Sequence, residues 1–340
     1  MMRWSVRRIV GSLFAALVLS AVGCGGGGGT VGASGTLTGS VQTLPGRQAL
    51  VPVASGRVQV YLNGAQVASG IVVNGQYRVT VPLPSDASQA TVVVVANFVA
   101  GNIVQAWRHK TVAVVRAGQT QQADINPTTT LATAALETST NTVAADLDIA
   151  AFAQVQQSLQ GQVNPTQVDF SSDASIQNAL PVMLVVTTNP SGAQVRLNDQ
   201  SQGTAPIVIR SGLQGGGSVT LAVRHQGAVG DQNITTTLSR TVTLKVRGST
   251  PVHFNFTPQI VNHQVSDGAL TLWVRNAGSV GEKVVVQFGN AQAVVGTIAD
   301  VGTDGVATVA VAIPSGLSGQ VAVRVQNAVR TSAPVTVTLP

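Results

Sequence analysis

Apolar residues recur at every second position through much of this chain. In Gly56-Arg57-Val58-Gln59-Val60-Tyr61-Leu62, Val58, Val60 and Leu62 share one face, which is the period of a half-buried β-strand. Asn63-Gly64 follows directly and supplies the two positive φ angles that a type I′ hairpin turn requires. Strands are also predicted at Gly75 to Pro82, at the continuous run Thr91 to Ala96, and at Lys110 to Val115. Short strands at such spacing predict a β-sandwich over residues 36–125.

The period then changes once. Asn126-Pro127 suits an N-cap and first helical residue, opening a helix from Thr128 to Glu137. Val143, Leu147, Ala151, Val155 and Leu159 next repeat every four residues, before Gly161 and Pro165 stop the pattern. A helical pair is therefore predicted over 126–180, as a spacer or docking face, or packed on its neighbours. Packing is favoured, because a lone amphipathic helix must bury its apolar stripe. Alternation of the strand type returns over 181–258 and 259–340. The fold class is mainly β: tandem β-sandwich modules with a short helical insertion, expected to fold separately with modest interfaces.

Charge narrows the partners. Of the formal +6, Arg3, Arg7 and Arg8 near the N-terminus supply half, so the remaining chain carries no nucleic-acid footprint. Arg108-His109-Lys110 and Lys245-Val246-Arg247 are short basic groups, read as solvated strand ends or faces.

Those three arginines precede the apolar stretch Ile9 to Val22, the layout of a secretory signal over 1–23. The stretch is too short for a membrane span, which needs roughly 20 residues. The single cysteine, Cys24, stands immediately after it, before five glycines. Leu19-Ser20-Ala21-Val22-Gly23-Cys24 resembles a bacterial lipobox. The resemblance implies cleavage between Gly23 and Cys24, diacylation of the sulfur, and a lipid-anchored, extracytoplasmic envelope protein on the outer membrane or cell surface. Ala21-Val22-Gly23 also suits ordinary signal peptidase, which would leave Cys24 a free thiol. An exposed unpaired thiol is a liability in an oxidising compartment, whereas acyl chains contribute roughly 0.8 kcal/mol per buried CH₂. Residues 24–35 then form a flexible Gly-rich tether.

Three further resemblances follow the modules. Gly56 to Leu62, Gly75 to Pro82 and Gly118-Gln119-Thr120 look like the carboxypeptidase-regulatory-like sandwich. Asn189-Pro190-Ser191-Gly192, Val195, Leu197, Asn198-Asp199 and Gly203-Thr204-Ala205-Pro206 resemble a PEGA module over 181–258. Gly268 to Leu272, Val284 to Gly289 and Ala307 to Val325 are similar to an IPT/TIG immunoglobulin-like domain over 259–340. These resemblances imply surface modules without catalysis.

Candidate chemistry is sparse. His109, His225, His253 and His263 lack the close spacings of zinc sites and read as surface residues. Asp300 and Asp304 have the chemistry to act as a glycosidic acid–base pair or to ligate calcium, yet Asp300 to Gly305 reads as a β-turn. No Gly-x-Ser-x-Gly elbow precedes an acid and a histidine in hydrolase order. No metal, cofactor or enzymatic activity is expected. Among 3 Trp, 2 Tyr and 7 Phe, Trp273 shares a polar face with Thr271 and Arg275 and is the first binding candidate, with Trp107 beside the basic group as the second. Each has packing against a neighbouring module as its alternative. The chain thus reads as a lipid-anchored, non-catalytic surface scaffold or adhesin; the alternative is a glycan-binding accessory lipoprotein presenting a substrate to a partner enzyme. The expected partners are the membrane, through the N-terminal lipid, and an envelope protein or polysaccharide.

Overall fold

The computed structural model describes residues 32–44, 49–99, 106–290 and 292–340; Gly23, Cys24 and the leader lie outside them. The described chain is mainly β.

Nine strands open it: β1 (Ser34–Ser40), β2 (Gln42–Thr43), β3 (Val51–Pro52), β4 (Ser55–Leu62), β5 (Ala65–Val73), β6 (Gln76–Pro82), β7 (Gln89–Val99), β8 (Ala106–Arg116) and β9 (Thr120–Gln122). Seven form one sheet in the order β8-β7-β4-β5-β6-β1-β9 around a core that includes Leu37, Val58, Val60, Tyr77, Val94 and Val115. Asn63 and Gly64, at φ 50° and 79°, make the expected hairpin turn, and Asn74-Gly75 repeats it between β5 and β6. β1 begins at Ser34, inside the expected tether. Glycine is required there, since a Cβ on Gly35 would overlap the Arg116 carbonyl.

The run Thr91 to Ala96 is buried on both faces, which explains why its sequence does not alternate. Val92, Val94 and Ala96 face the first core, while Val93 and Val95 face a second one. That second core is built by the helical insertion: α1 (Pro127–Leu136), α2 (Ile149–Leu159), a single 3₁₀ turn at Pro165–Gln167, and α3 (Asp173–Ala179). Asn126 caps α1 as expected, its side chain accepting from the Thr129 N–H at 2.9 Å. The four-residue stripe is not one continuous helix. Val143 and Leu147 are buried, but Asn141 takes φ 56° and Asp148 starts a new cap by accepting from the Ala150 N–H, so α2 begins only at Ile149. α3, capped by Ser172, is a third helix that the apolar pattern does not announce.

The helices settle a problem that β8 would otherwise have. β8 is an edge strand, and the backbone of its Lys110 faces α1 rather than another strand. Thr130 Oγ1 accepts from the Lys110 N–H at 2.9 Å, and Thr129 Oγ1 donates to the Lys110 carbonyl at 2.8 Å. Two threonine hydroxyls thus take the place of a neighbouring strand.

The third module has β10 (Met183–Asn189), β11 (Gln194–Leu197), β12 (Gln200–Thr204), β13 (Ile207–Ile209), β14 (Ser218–Val229), β15 (Gln232–Thr243) and β16 (Ser249–Asn255). Sheets β13-β10-β16 and β12-β11-β14-β15 enclose Leu184, Val186, Val195, Leu221, Val223 and Phe254. Asn198-Asp199 makes its hairpin with both φ positive, at 45° and 66°. The fourth module is one sheet of β17 (Gln259–Ser266), β18 (Ala269–Arg275), β19 (Lys283–Phe288), β20 (Gln292–Val301), β21 (Val306–Ala312), β22 (Gly319–Gln326) and β23 (Val335–Leu339), in the order β17-β18-β21-β20-β19-β22-β23.

The expectation of modest interfaces does not hold. The second core runs without a break from Val93 and Val112 through the helices to Met183 and Val185 of β10. Val229 and Ile234 of the β14–β15 hairpin join Val285 and Ala328 of the fourth module in a further apolar cluster. Asn327, fully buried, ties both modules. Its Nδ2 donates to the Phe256 and Asn276 carbonyls at 2.7 and 3.0 Å, and its Oδ1 accepts from the Val329 and Arg330 N–H groups. Outer strand faces rich in Val and Thr tolerate either water or burial, so their composition did not reveal these contacts.

Candidate functional site

The basic group Arg108-His109-Lys110 is not a solvated strand end, because the helical insertion lands on it. Lys110, 1% exposed, places Nζ 2.9 and 3.2 Å from the two Glu137 oxygens and 2.7 Å from Asp173 Oδ1. The Asp173 contact is too oblique for a hydrogen bond and acts through proximity of charge. Arg108 Nη1 meets the other Asp173 oxygen at 3.2 Å. Two cations face two carboxylates, so the cluster is internally balanced. Burial raises the Glu137 carboxyl above its ordinary range, with the Lys110 charge opposing only in part. This is a strut between sheet and helices, in which each charge depends on the others.

His109, 0% exposed, sits beside it. Phe98 and Phe170 meet the imidazole edge-on, with centroids 5.0 and 4.7 Å away, and Trp107 lies at 6.2 Å. Nδ1 is 3.1 Å from the Arg108 carbonyl, which only accepts, so Nδ1 carries the proton and Nε2 accepts from the Thr43 hydroxyl at 3.2 Å. Burial lowers the ring's pKa to about 4. Trp107 is therefore a wall of this aromatic cluster, packed against Phe170 at 6.2 Å, rather than an isolated surface ring.

A second constellation resembles a catalytic triad. Thr187 Oγ1 lies 2.8 Å from His253 Nδ1, and His253 Nε2 lies 2.9 Å from Asp146 Oδ1. The ring nitrogens are exchanged relative to a triad and Nε2 approaches Asp146 without a hydrogen-bond alignment, and Thr187 is 3% exposed on a doubly covered strand, out of reach of a substrate carbonyl. Asp146 also accepts from the Nδ2 groups of Asn189 and Asn255 at 3.0 and 2.7 Å. His253 first, and the Asn189 hydrogen bond after it, lower its pKa to about 2 against the opposing effect of burial. The arrangement fastens the segment before α2 onto β10 and β16.

The histidines are thus not uniform surface residues. His109 is in a core, His253 is paired, and His225 packs on Phe256 with centroids 4.8 Å apart; burial lowers the pKa of His225. Lys245, Val246 and Arg247 are exposed, as expected. Gly302 to Gly305 form a turn, with Asp304 Oδ1 accepting from the Val306 N–H at 3.2 Å. Among the described residues no group of three or more His, Cys, Asp or Glu is placed to hold a metal. Trp273 is half-buried on β18, on the face opposite Leu270, Leu272 and Val274, with Asn262 and Thr308 as cross-strand neighbours.

Several clefts lie between modules. One of them, of about 540 Å³, has as its floor the outer face of β11, β14 and β15, and as its wall Gly281-Glu282-Lys283 at the start of β19. Arg196, Ala222 and Ser239 stand in register across the floor, as do Arg224 and Thr237. The wall is fixed to the floor by Glu282, which accepts from the Thr237 N–H and hydroxyl at 2.7 and 2.6 Å and from the Ser279 N–H at 2.9 Å. No motif marks this site, whose cations lie on separate modules.

No protein-family model matches the chain, and no curated protein matches it. Among solved structures, it overlaps a 1.5-MDa bacterial ice-binding adhesin studied for its retention at the host cell surface, at 13% identity, covering 91% of this chain and 98% of that one, with a TM-score of 0.17. It also overlaps a Ca²⁺-stabilized, ice-binding adhesin of an Antarctic bacterium, at 12% identity, 90% and 73% coverage and a TM-score of 0.16. Scores this low correspond to no shared arrangement of the whole chain.

Proposed function

We propose that this chain is a lipid-anchored, non-catalytic protein of the bacterial cell envelope that works as a surface scaffold or adhesin through tandem β modules. The observation that carries the reading is the N-terminal sequence: a basic start, a short apolar stretch, small residues, one cysteine, then glycines. The charge clusters support it, since buried Lys110 and Glu137 and partly exposed Asp146 are engaged in joining elements. Intact-mass measurement of membrane-extracted protein tests the anchor. The expected chain starts at Cys24 with added acyl mass, and Cys24→Ser releases it from membranes. A chain starting at Cys24 with an unmodified thiol refutes it.

A second reading, a glycan-binding accessory lipoprotein, is favoured by the hydroxyl- and amide-lined cleft between the third and fourth modules.

A further inference from the structure

The charge pattern of that cleft selects among ligands. Arg196, Arg224 and Lys283 supply three cations, and Asp199 and Glu282 two carboxylates. Glu282 is spent on Thr237 and Ser279. Arg196 is turned toward the Asp199 carbonyl, donating from Nε and Nη2 at 3.2 and 2.8 Å. Arg224 remains: it lines the floor with only a 3.4 Å contact from its Nη2 to the Thr235 hydroxyl, which makes it the less engaged of the two floor arginines. A guanidinium so sparsely hydrogen-bonded keeps terminal donors for an oxygen that reaches the floor, and a carboxylate or phosphate can accept from two of them at once. Lys283 stands exposed on the wall above the same floor.

The rest of the lining decides what carries that oxygen. No aromatic side chain lines the cleft, so the stacking that holds the apolar face of a neutral sugar is missing. Asn233, Thr235 and Ser239 present hydroxyl and amide groups suited to a hydroxylated chain. An acidic peptide would find no apolar pocket for an anchoring side chain.

We propose that the cleft binds an acidic polysaccharide, seating a sugar carboxylate or phosphate on Arg224 and Lys283 and neighbouring hydroxyls on Asn233, Thr235 and Ser239. This assigns a ligand class to the surface-binding function above and rests on it. The test uses full chain extracted from membranes, titrated calorimetrically with a galacturonate hexamer, a phosphorylated glucan of equal length, neutral dextran and oligoglutamate. Binding to one or both acidic glycans is expected, and the arm that binds identifies carboxylate or phosphate as the anion. The affinity should fall as salt rises from about 20 to about 300 mM, because the screening length shortens several-fold. Arg224→Gln and Lys283→Gln should each weaken it roughly tenfold, the loss of one charge-assisted contact. Lys283 is exposed, so its variant keeps the test valid if Arg224→Gln fails to fold. Equal binding of dextran, preference for oligoglutamate, unchanged affinity in the variants, or no binding to either acidic glycan overturns the proposal. Intact mass on the same sample reports the anchor independently, so loss of the site and loss of the envelope reading are told apart.

Discussion

Replacing His109 with Phe should remove a defined part of the protein's acid sensitivity. In the folded chain the buried ring stays neutral down to about pH 4, against an ordinary value of 6.5. Between those values the unfolded chain binds the extra proton and the folded chain does not. Stability from this group is therefore complete above pH 6.5 and is lost as pH falls toward 4. At about 1.36 kcal/mol per unit the whole effect is roughly 3 kcal/mol, of which about 2.5 is gone by pH 4.5. His109→Phe keeps the aromatic packing against Phe98 and Phe170. It leaves the Arg108 carbonyl without its donor at every pH, a constant offset. The assay is urea unfolding at pH 7 and pH 4.5, followed by Trp107 fluorescence, since that indole borders the imidazole; Trp273→Phe clears the other described tryptophan. Carboxylates titrate alike in both chains, so the parent should lose about 2.5 kcal/mol more than the variant over this interval. Equal losses in the two chains would refute the reasoning.

Three further variants test the struts. Lys110→Met leaves Glu137 and Asp173 facing each other without their shared cation and should cost about 3–5 kcal/mol by denaturant unfolding, while Lys110→Met with Glu137→Leu should recover most of it. Asn327→Ala strips the Phe256 and Asn276 carbonyls of their donor and should cost about 2–4 kcal/mol, read as earlier melting of the third and fourth modules together.

The strands were legible because alternation and Asn-Gly turns are local signals: Val58 and Val60 point inward, and Asn63-Gly64 turns, for reasons contained within ten residues. The doubly buried β7 was legible as an unbroken apolar run. Lys110 was not, since its partners Glu137 and Asp173 come from α1's end and from a seven-residue helix too short for a visible period. Val143 and Leu147 keep a helical spacing while lying in irregular backbone on either side of a turn at Ala145-Asp146, because burial constrains side chains and not the path between them. Arg224 and Lys283 belong to different modules, and only packing of one upon the other makes them a pair.

Two parallel pairings have a mechanical consequence. β1 runs parallel to β9, with Thr36 to Thr38 beside Thr120 to Gln122, and β10 runs parallel to β16 over seven residue pairs from Met183–Ser249 to Asn189–Asn255. In each case the chain enters at one end of the pair and leaves at the other. Tension along the polypeptide therefore loads the whole ladder in shear, and its hydrogen bonds must yield together instead of peeling apart singly. Resistance of this kind is set by the rate of rupture and not by equilibrium stability, so the first and third modules are built to bear a pull at their ends.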